Sequence, residues 1–257
     1  MLSKKNLIIL CLSLCAIIAA TPLACKKQEN AGGESAKKID FYTGMDIKPV
    51  YSRSRIEKPH SKYEFDPALQ GDIVKHDFIL ENESDTTLEL RDVEGCCGCF
   101  VEGYTQRIPP DMSGVISAVL LTDSRGGEII DGKIRARTND PARPEITIDI
   151  LMAVKEFADL NPYRIWLKGS PNEAIVEKCT VIPNENYPFN ITGIKTRKGV
   201  WFDYSYREIE KNGRKAYEIT VKNTRDKPGP YQDVLYVQTD HSARPEFKIR
   251  IEGRISE

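Results

Sequence analysis

Three cysteines within four residues, Cys96-Cys97-Gly98-Cys99, form the densest group of reactive side chains in the sequence. Thiols this close could bind a soft metal such as Cu(I) or Zn(II), or could cycle between the dithiol and the disulfide. The nearby sequence adds no histidine and no second cysteine pair for zinc, and no βαβ pattern of a thioredoxin-like site. The third interpretation is structural: a disulfide at a strand end, or small buried side chains. The sequence leaves these three interpretations open.

The histidines are too scattered to predict a catalytic site. His76 falls on the inward face of a predicted strand, His241 falls in a predicted turn, and His60 stands apart from both. No Gly-x-Ser-x-Gly, His-Glu-x-x-His or phosphate-binding glycine loop occurs in the sequence. We therefore predict a protein that is not an enzyme and that carries no cofactor.

Alternating side chains along the chain predict an all-β fold. His76, Phe78 and Leu80 mark one face of a strand that stops at the polar residues 82–85. Short strands between polar turns are typical of a β-sandwich or barrel, and no window of helical length keeps an apolar stripe. Further strands are predicted at residues 88–93, 115–121, 132–137, 145–154, 163–168, 174–182, 189–195, 201–210, 215–221, 234–238 and 247–255. Four aromatic residues alternate as strand residues do and are predicted to lie in the core or in cross-strand pairs: Trp166, Trp201, Tyr204 and Tyr206.

Two segments of the chain repeat each other. Residues 138–145 and 239–246 share Thr, Ala, Arg, Pro and Glu at the same places, and an alternating apolar strand follows each. We interpret them as one hairpin used twice, near the end of two successive domains. The predicted domains are residues 61–156 and residues 157–257.

The N-terminus predicts export from the cytoplasm. Lys4 and Lys5 precede an uncharged apolar run at residues 7–20. Such a run is too short to span a bilayer comfortably, and its length is typical of a signal-peptide core. We therefore predict that residues 1–24 form a signal peptide.

The junction after this run predicts a lipid anchor. Cys25 follows Leu23-Ala24 and resembles the lipobox cysteine of bacterial lipoproteins, although Pro22 stands where that motif usually has leucine. The resemblance implies that Cys25 is the lipid-attachment residue and that the mature protein is held on a membrane, facing the periplasm or the cell surface. Ordinary signal-peptidase cleavage near Ala20 or Ala24, which would release a soluble exported protein, is the alternative.

The charge balance argues against nucleic acid as a partner. The chain has 37 basic and 38 acidic residues, a net charge of -1, which offers no electrostatic attraction to phosphate backbones. After the anchor, residues 26–37 are polar, small and free of aromatics, so they cannot bury enough surface to order themselves. We predict that residues 25–60 form a flexible, lipid-anchored tether.

Several ordered motifs carry a family resemblance over roughly residues 60–155. They are a strand ending in Asn at residues 78–82, the cysteine motif at residues 96–99, a turn at residues 110–114 and a Thr-Asn-Asp-Pro hairpin at residues 138–141. In this combination the region resembles a bacterial immunoglobulin-like family of unknown function, related in fold to Hydin-type and major-sperm-protein-like domains. The resemblance implies an immunoglobulin-like fold and a location in the cell envelope, and no known activity. Together with the repeated hairpin, it leads us to predict two tandem immunoglobulin-like antiparallel β-sandwiches.

The same resemblance divides the cysteines. Cys97 and Cys99 match the family pattern, whereas Cys96 and Cys179 are additions to it. Adjacent strand residues point to opposite faces, so a bond between Cys96 and Cys97 would need a distorted peptide. Our hypothesis is that Cys97 and Cys99 share one face, as a local disulfide or dithiol, and that Cys96 faces Cys179. The metal state of this group stays unknown.

Two functions remain from the sequence. The first is a non-enzymatic envelope lipoprotein, an immunoglobulin-like binding or scaffold module that contacts another, unidentified envelope protein through sheet edges or loops. The alternative is a thiol-redox or soft-metal lipoprotein centred on the cysteine cluster.

Overall fold

The computed structural model of the chain describes residues 49–171 and 173–257, which fall in one compact unit. Within these ranges every regular element is a β-strand. The described residues contain no helix that is long and apolar enough to cross a membrane. The predicted signal peptide, Cys25 and most of the predicted tether lie outside the described residues.

The first sandwich consists of two packed sheets. One sheet has the strand order β1-β3-β7-β5 and the other the order β2-β9-β8-β4-β6. The strands are β1 (Val50–Ile56), β2 (His60–Leu69), β3 (Ile73–Glu81), β4 (Leu88–Cys96), β5 (Cys99–Tyr104), β6 (Arg107–Ile108), β7 (Ser113–Leu121), β8 (Ile129–Thr138) and β9 (Glu145–Lys155).

One apolar core lies between these two sheets. Phe78 and Ile116 from one sheet, and Ile134 and Ile148 from the other, are all buried in it. Every second residue of β3 is buried because successive side chains of a strand point to opposite faces. The predicted inward face of this strand, which includes His76, is therefore confirmed.

The second sandwich repeats this architecture. Its sheets have the strand orders β10-β12-β15-β14 and β11-β17-β16-β13. The strands are β10 (Ala158–Asn161), β11 (Arg164–Gly169), β12 (Val176–Pro183), β13 (Ile191–Thr196), β14 (Phe202–Lys211), β15 (Arg214–Asn223), β16 (Gly229–Thr239) and β17 (Glu246–Ile255). Val181, Ile219, Leu235 and Ile249 meet in a separate core, so the predicted fold class of two tandem β-sandwiches is confirmed.

The start of the first sandwich differs from the sequence prediction. The predicted tether is wrong at its C-terminal end, because residues 50–56 form β1, which pairs in parallel with β3. Ile56 is buried in the first core. Parallel pairs also join β2 to β9 and β11 to β17, beside the predicted antiparallel ones. The two strands of a parallel pair are far apart in the chain, so their pairing cannot be predicted from a turn between them.

The repeated segment forms the same hairpin end in both sandwiches. The Thr138 hydroxyl donates to the Arg143 carbonyl at 2.5 Å, and the Thr239 hydroxyl donates to the Arg244 carbonyl at 2.5 Å. The two hairpins lead into β9 and β17, the last strand of each sandwich. The repeated sequence therefore corresponds to a repeated structure.

A turn of the first sandwich fixes the second sandwich in place. The side-chain oxygen of Gln70 accepts hydrogen bonds from the backbone amides of Phe157 and Ala158, at 3.0 and 3.1 Å. Arg244 Nη2 of the second sandwich lies 2.5 Å from Asp72 Oδ1 of the first. These contacts join the two sandwiches directly.

Candidate functional site

The cysteine motif lies in a two-residue turn that joins the two sheets of the first sandwich. Cys96 ends β4 in one sheet, and Cys99 begins β5 in the other. Cys97 and Gly98 both have positive φ angles, 62° and 99°, as in a type I′ turn. A glycine at the second position accepts this conformation at no steric cost, whereas a cysteine at the first does not.

Two further glycines let the backbone pack tightly around this turn. A Cβ atom on Gly95 would lie 2.6 Å from the Cys99 carbonyl oxygen. A Cβ atom on Gly132 of β8 would lie 3.0 Å from the Cys99 Cβ and 3.3 Å from the Cys96 carbonyl oxygen. The turn is therefore held by close backbone contacts that any larger residue at these positions would disturb.

The turn brings the sulfurs of neighbouring residues together. The Cys97 thiol donates to the Cys96 sulfur at 2.9 Å, and both side chains are exposed. The prediction that Cys96 and Cys97 point to opposite faces is therefore wrong, because Cys97 has left the extended strand conformation on which that rule depends. The hydrogen bond to Cys96, together with partial desolvation, raises the pKa of the Cys97 thiol above its ordinary value.

Cys99 is separated from this exposed pair. Its side chain is 1% exposed and belongs to the first core. Burial raises its pKa to about 12, so it stays a protonated, inert thiol. The hypothesis that Cys97 and Cys99 share one face is therefore wrong: one thiol faces solvent and the other faces the core.

Cys179 lies in the other sandwich. It is buried in the second core, and its thiol donates to the Pro162 carbonyl oxygen at 3.1 Å. Burial raises its pKa to about 12. The predicted approach of Cys96 to Cys179 is therefore wrong, because the two side chains belong to different sandwiches and Cys96 is exposed.

The same geometry bears on metal binding. The described residues contain no group of three or more His, Cys, Asp or Glu side chains arranged to hold a metal ion. At the cysteine turn, two thiols are paired at the surface while the third faces the core.

A cleft between the two sandwiches opens beside the turn. It encloses about 210 Å³, and Gly98 of the cysteine motif forms part of its wall. The first sandwich also contributes Phe100, Asp123 and Arg125, and the second contributes Tyr163, Arg164, Lys248 and Arg250. The cleft thus depends on both sandwiches and on the contacts that fix them together.

The charges around the cleft are mainly positive. Its lining has four cationic side chains and one carboxylate, that of Asp123. Arg250 Nη2 lies 3.6 Å from Asp123 Oδ2. Arg164 Nη1 lies 2.6 Å from the Glu252 carboxylate, and Arg125 Nη1 lies 3.0 Å from the Glu128 carboxylate. Neither of these two glutamates belongs to the lining. Burial lowers the pKa of Lys248, and the nearby Arg250 adds to this effect although Asp123 opposes it.

One cationic group at the cleft is incompletely satisfied. Arg164 Nε is buried and has no hydrogen-bond partner among the described residues. A buried donor without an acceptor costs free energy, so such groups call for an explanation. Because this donor is buried, it is the excess of cationic side chains in the lining that favours an anionic group in the cleft.

Aromatic side chains flank the same region. Phe100 and Tyr163 in the cleft wall are exposed. Trp166 of β11, three residues after Tyr163, carries the Lys168 ammonium over its ring at 4.8 Å. The prediction that the aromatics of the second half lie in the core or in cross-strand pairs is wrong with respect to burial, because all four remain more than a third exposed: Trp166, Trp201, Tyr204 and Tyr206.

The histidines have structural partners. His76 is buried, with its ring nitrogens 2.6 and 2.8 Å from the hydroxyls of Ser52 and Ser54 on β1. Burial lowers its pKa to about 4, which makes it a weak base at neutral pH. His60 is paired at the surface with Asp149, and His241 accepts a hydrogen bond from a backbone amide within its own turn.

Sequence reasoning missed the cleft. Its cations lie in the turn after β7, at the start of β11 and on β17, and no motif links these three segments. The sequence offers one indication of the cleft: Lys248 and Arg250 are two positions apart on β17, so both lie on the same face of the strand.

Comparisons with known proteins identify a family for part of the chain but no activity. Residues 56–150, within the first sandwich, match the family DUF1573, described as a protein of unknown function. No curated protein matches the chain. The matched family therefore carries no assigned activity that could be transferred.

Solved structures resemble the chain only weakly. A protein of unknown function from Porphyromonas gingivalis W83 is 8% identical, with 74% of this chain and 94% of that chain covered and a TM-score of 0.31. The mouse clustered protocadherin PcdhgC3, repeats EC1–3, is 9% identical, with 65% and 55% covered and a TM-score of 0.29. The teleost fish polymeric Ig receptor ectodomain is 9% identical, with 77% and 98% covered and a TM-score of 0.23. Similarity at this level does not assign a function.

Proposed function

We propose that this chain is a non-enzymatic binding module of the bacterial cell envelope, lipid-anchored at Cys25, whose inter-sandwich cleft binds an acidic segment of another envelope protein. The observation that carries the proposal is the composition of the cleft: its lining has four cationic side chains and one carboxylate around a cavity of about 210 Å³. A volume of this size accepts a few side chains of a peptide rather than a whole domain.

The chemistry of the lining favours carboxylate ligands. Arg125, Arg164 and Arg250 each present a planar guanidinium, which can bind a carboxylate through two parallel hydrogen bonds. The exposed rings of Phe100 and Tyr163 supply apolar contact area beside these charges. Arginine and aromatic residues together are the composition typical of protein-binding hot spots.

The cleft is also formed before any partner arrives. The hydrogen bonds from Gln70 and the ion pair between Arg244 and Asp72 fix the two walls relative to each other. A preformed site loses less conformational entropy on binding than one that must close around its ligand. This supports recognition of an extended segment by a rigid surface.

Photo-crosslinking in intact cells tests the proposal. A photoreactive phenylalanine analogue replaces Tyr163, which is 52% exposed in the cleft wall, and in a matched variant it replaces Tyr206, which is 40% exposed on the edge strand β14. We expect one discrete crosslinked protein from position 163 and not from position 206. Mass spectrometry of the crosslinked peptide should find Asp and Glu enriched around the attachment point.

Reversing one charge inside the cleft and one outside it distinguishes binding in the cleft from non-specific binding elsewhere on the surface. Arg125→Glu changes the cleft lining, whereas Arg137→Glu changes an exposed arginine of β8 outside it. The crosslink from position 163 should fall at least about tenfold with Arg125→Glu, as expected for the loss of a charge-assisted contact, and should persist with Arg137→Glu. Equal crosslinking in both variants, or a partner segment without acidic residues, would refute the proposal.

A further inference from the structure

We propose that Cys96 and Cys97 form a thiol–disulfide exchange site, in which the two neighbouring residues close a reversible disulfide with each other at the expense of a disulfide of another molecule. This activity is separate from ligand binding in the cleft. It rests on the positions of the three cysteines of the motif.

The two sulfurs are close to bonding distance. Cys96 Sγ and Cys97 Sγ are 2.9 Å apart, so a shift of only about 1 Å would bring them to the length of a disulfide. Both side chains are exposed, so a disulfide-containing molecule can reach them. Access and proximity are two of the conditions on which exchange depends, and the attacking sulfur must in addition be a thiolate.

The backbone conformation that produces this proximity is unusual for cysteine. Among the described residues, the non-glycine positions with positive φ are Asp92, Cys97, Asp111 and Asn212. Asp and Asn adopt this region comparatively readily because their short polar side chains bond locally, but cysteine lacks that advantage. Strain of this kind recurs at functional positions, where the surrounding structure maintains it.

The third cysteine of the motif cannot compete for the same bond. Cys99 faces the first core, and burial raises its pKa to about 12, so almost none of it is thiolate at neutral pH. Exchange proceeds only through a thiolate. The reactive pair is therefore Cys96 with Cys97.

A bond between these neighbours would open easily. The Cα atoms of adjacent residues are about 3.8 Å apart across a trans peptide, which is shorter than the separation of about 4.4–6.8 Å found for ordinary disulfides. Such compression makes the disulfide more reducible, and strained or exposed disulfides are the labile ones. The site therefore cycles, in contrast to a permanent structural bridge.

The exchange proceeds in two steps. The Cys96 sulfur, which accepts the hydrogen bond from the Cys97 thiol, attacks one sulfur of an incoming disulfide as the thiolate and releases the other sulfur as a thiolate. The Cys97 thiol then loses its proton to solvent and attacks the Cys96 sulfur of the mixed disulfide. This closes the Cys96–Cys97 bond and releases the second thiol. The protein loses two electrons and two protons, and the incoming disulfide gains them.

Peptide mapping of the mature protein purified from membranes tests the proposal. The protein is incubated with oxidised glutathione, its remaining thiols are blocked with N-ethylmaleimide under denaturing conditions, and it is digested with trypsin. The three cysteines fall in one tryptic peptide, residues 92–107. We expect this peptide to lack two hydrogen atoms and to carry one blocking group, on Cys99, without fragmentation between Cys96 and Cys97. Reduced glutathione should reopen it without denaturant.

Single variants identify the bond. Cys96→Ser and Cys97→Ser should each retain a bound glutathione on the remaining exposed cysteine, because no second thiol can displace it. Cys99→Ala should still close the ring, and a thermal melt verifies that this core variant is folded. The proposal is overturned if the oxidised form survives in Cys96→Ser, if the wild type accumulates bound glutathione as the variants do, or if the wild type does not react.

Discussion

Arg244 of the second sandwich is paired with Asp72 of the first, although its counterpart in the repeated hairpin has no such role. Arg244 Nη2 lies 2.5 Å from Asp72 Oδ1, and the arginine side chain is only 4% exposed. Arg143, at the matching position of the first hairpin, binds Asp140 of its own turn at 2.9 Å and is partly exposed. One sequence signal therefore supports a local turn in one sandwich and the joint between sandwiches in the other.

This difference predicts unequal effects of the same substitution. Arg244→Ala removes a buried partner and leaves the Asp72 carboxylate at the joint without its counter-charge, so we expect a loss of about 2–4 kcal/mol in the free energy of unfolding. Arg143→Ala breaks a pair within a surface turn, so its expected cost is below about 1 kcal/mol. Urea unfolding of the two variants measures both. Equal losses would contradict the role of Arg244 in the joint.

His76 predicts a dependence of stability on pH. Its pKa is lowered by burial from 6.5 to about 4, so between these values the unfolded chain binds a proton that the folded chain does not. The unfolded state therefore gains relative to the folded state as the pH falls through this window. We expect the free energy of unfolding to decrease by on the order of 3 kcal/mol as the pH falls from 6.5 towards 4.

A substitution at this position isolates the histidine from other titrating groups. In His76→Phe, an aromatic ring still packs against Tyr63, Phe65 and Phe78, but no proton can bind. Chemical unfolding at a series of pH values should show a flatter stability profile in this variant than in the wild type. A profile as steep as that of the wild type would assign the pH dependence to other residues.

Strand β1 predicts where the folded part begins. A chain that starts after Ile56 loses the buried side chain of that residue and the two serine hydroxyls that contact His76. Loss of a buried isoleucine alone costs about 2–5 kcal/mol, so this chain should unfold at a lower urea concentration than a matched chain that starts at residue 49. Identical midpoints for the two chains would mean that β1 adds nothing to the sandwich.

Cys25 predicts membrane attachment. The prediction rests on the apolar run at residues 7–20 and on the Leu23-Ala24-Cys25 junction. Cys25→Ser should move the protein from the membrane fraction to the soluble exported fraction, whereas Cys96→Ser, an equally conservative change outside the junction, should leave it on the membrane. Cell fractionation combined with mass spectrometry for an acyl group distinguishes the two. An unmodified Cys25 in the wild type would refute the anchor.

Local patterns in the sequence predict the strands well. The alternation of buried residues in β3, and the repeated hairpin at residues 138–145 and 239–246, depend on neighbours within a few positions of the chain. The pairing of β1, β2 and β11 escapes this reasoning because each joins its sheet through a parallel partner far away in sequence. Their positions in the sheets depend on how the whole sandwich assembles, and the periodicity of neighbouring residues does not encode that.

The cysteine motif also shows the difference between what local sequence predicts and what depends on the fold. The order of residues is enough to identify the motif at residues 96–99 as the main concentration of reactive groups. Which thiols meet depends on the fold, because Cys97 adopts a left-handed backbone conformation in which the strand rule that separates neighbouring side chains no longer applies. Cys179 lies in the second core, away from the motif. The sequence could not show this, because contacts between distant residues depend on how the sheets pack.

The cleft shows what sequence alone cannot determine. The all-β fold and the repeated hairpin follow from periodicity and turn residues, which are local properties. The meeting of Arg125 with Arg164 and Arg250 in one cleft depends on the angle at which two sandwiches are joined. That angle is set by a few long-range contacts, above all by those of Gln70 and Arg244, whose partners lie in the other sandwich and are specified by packing.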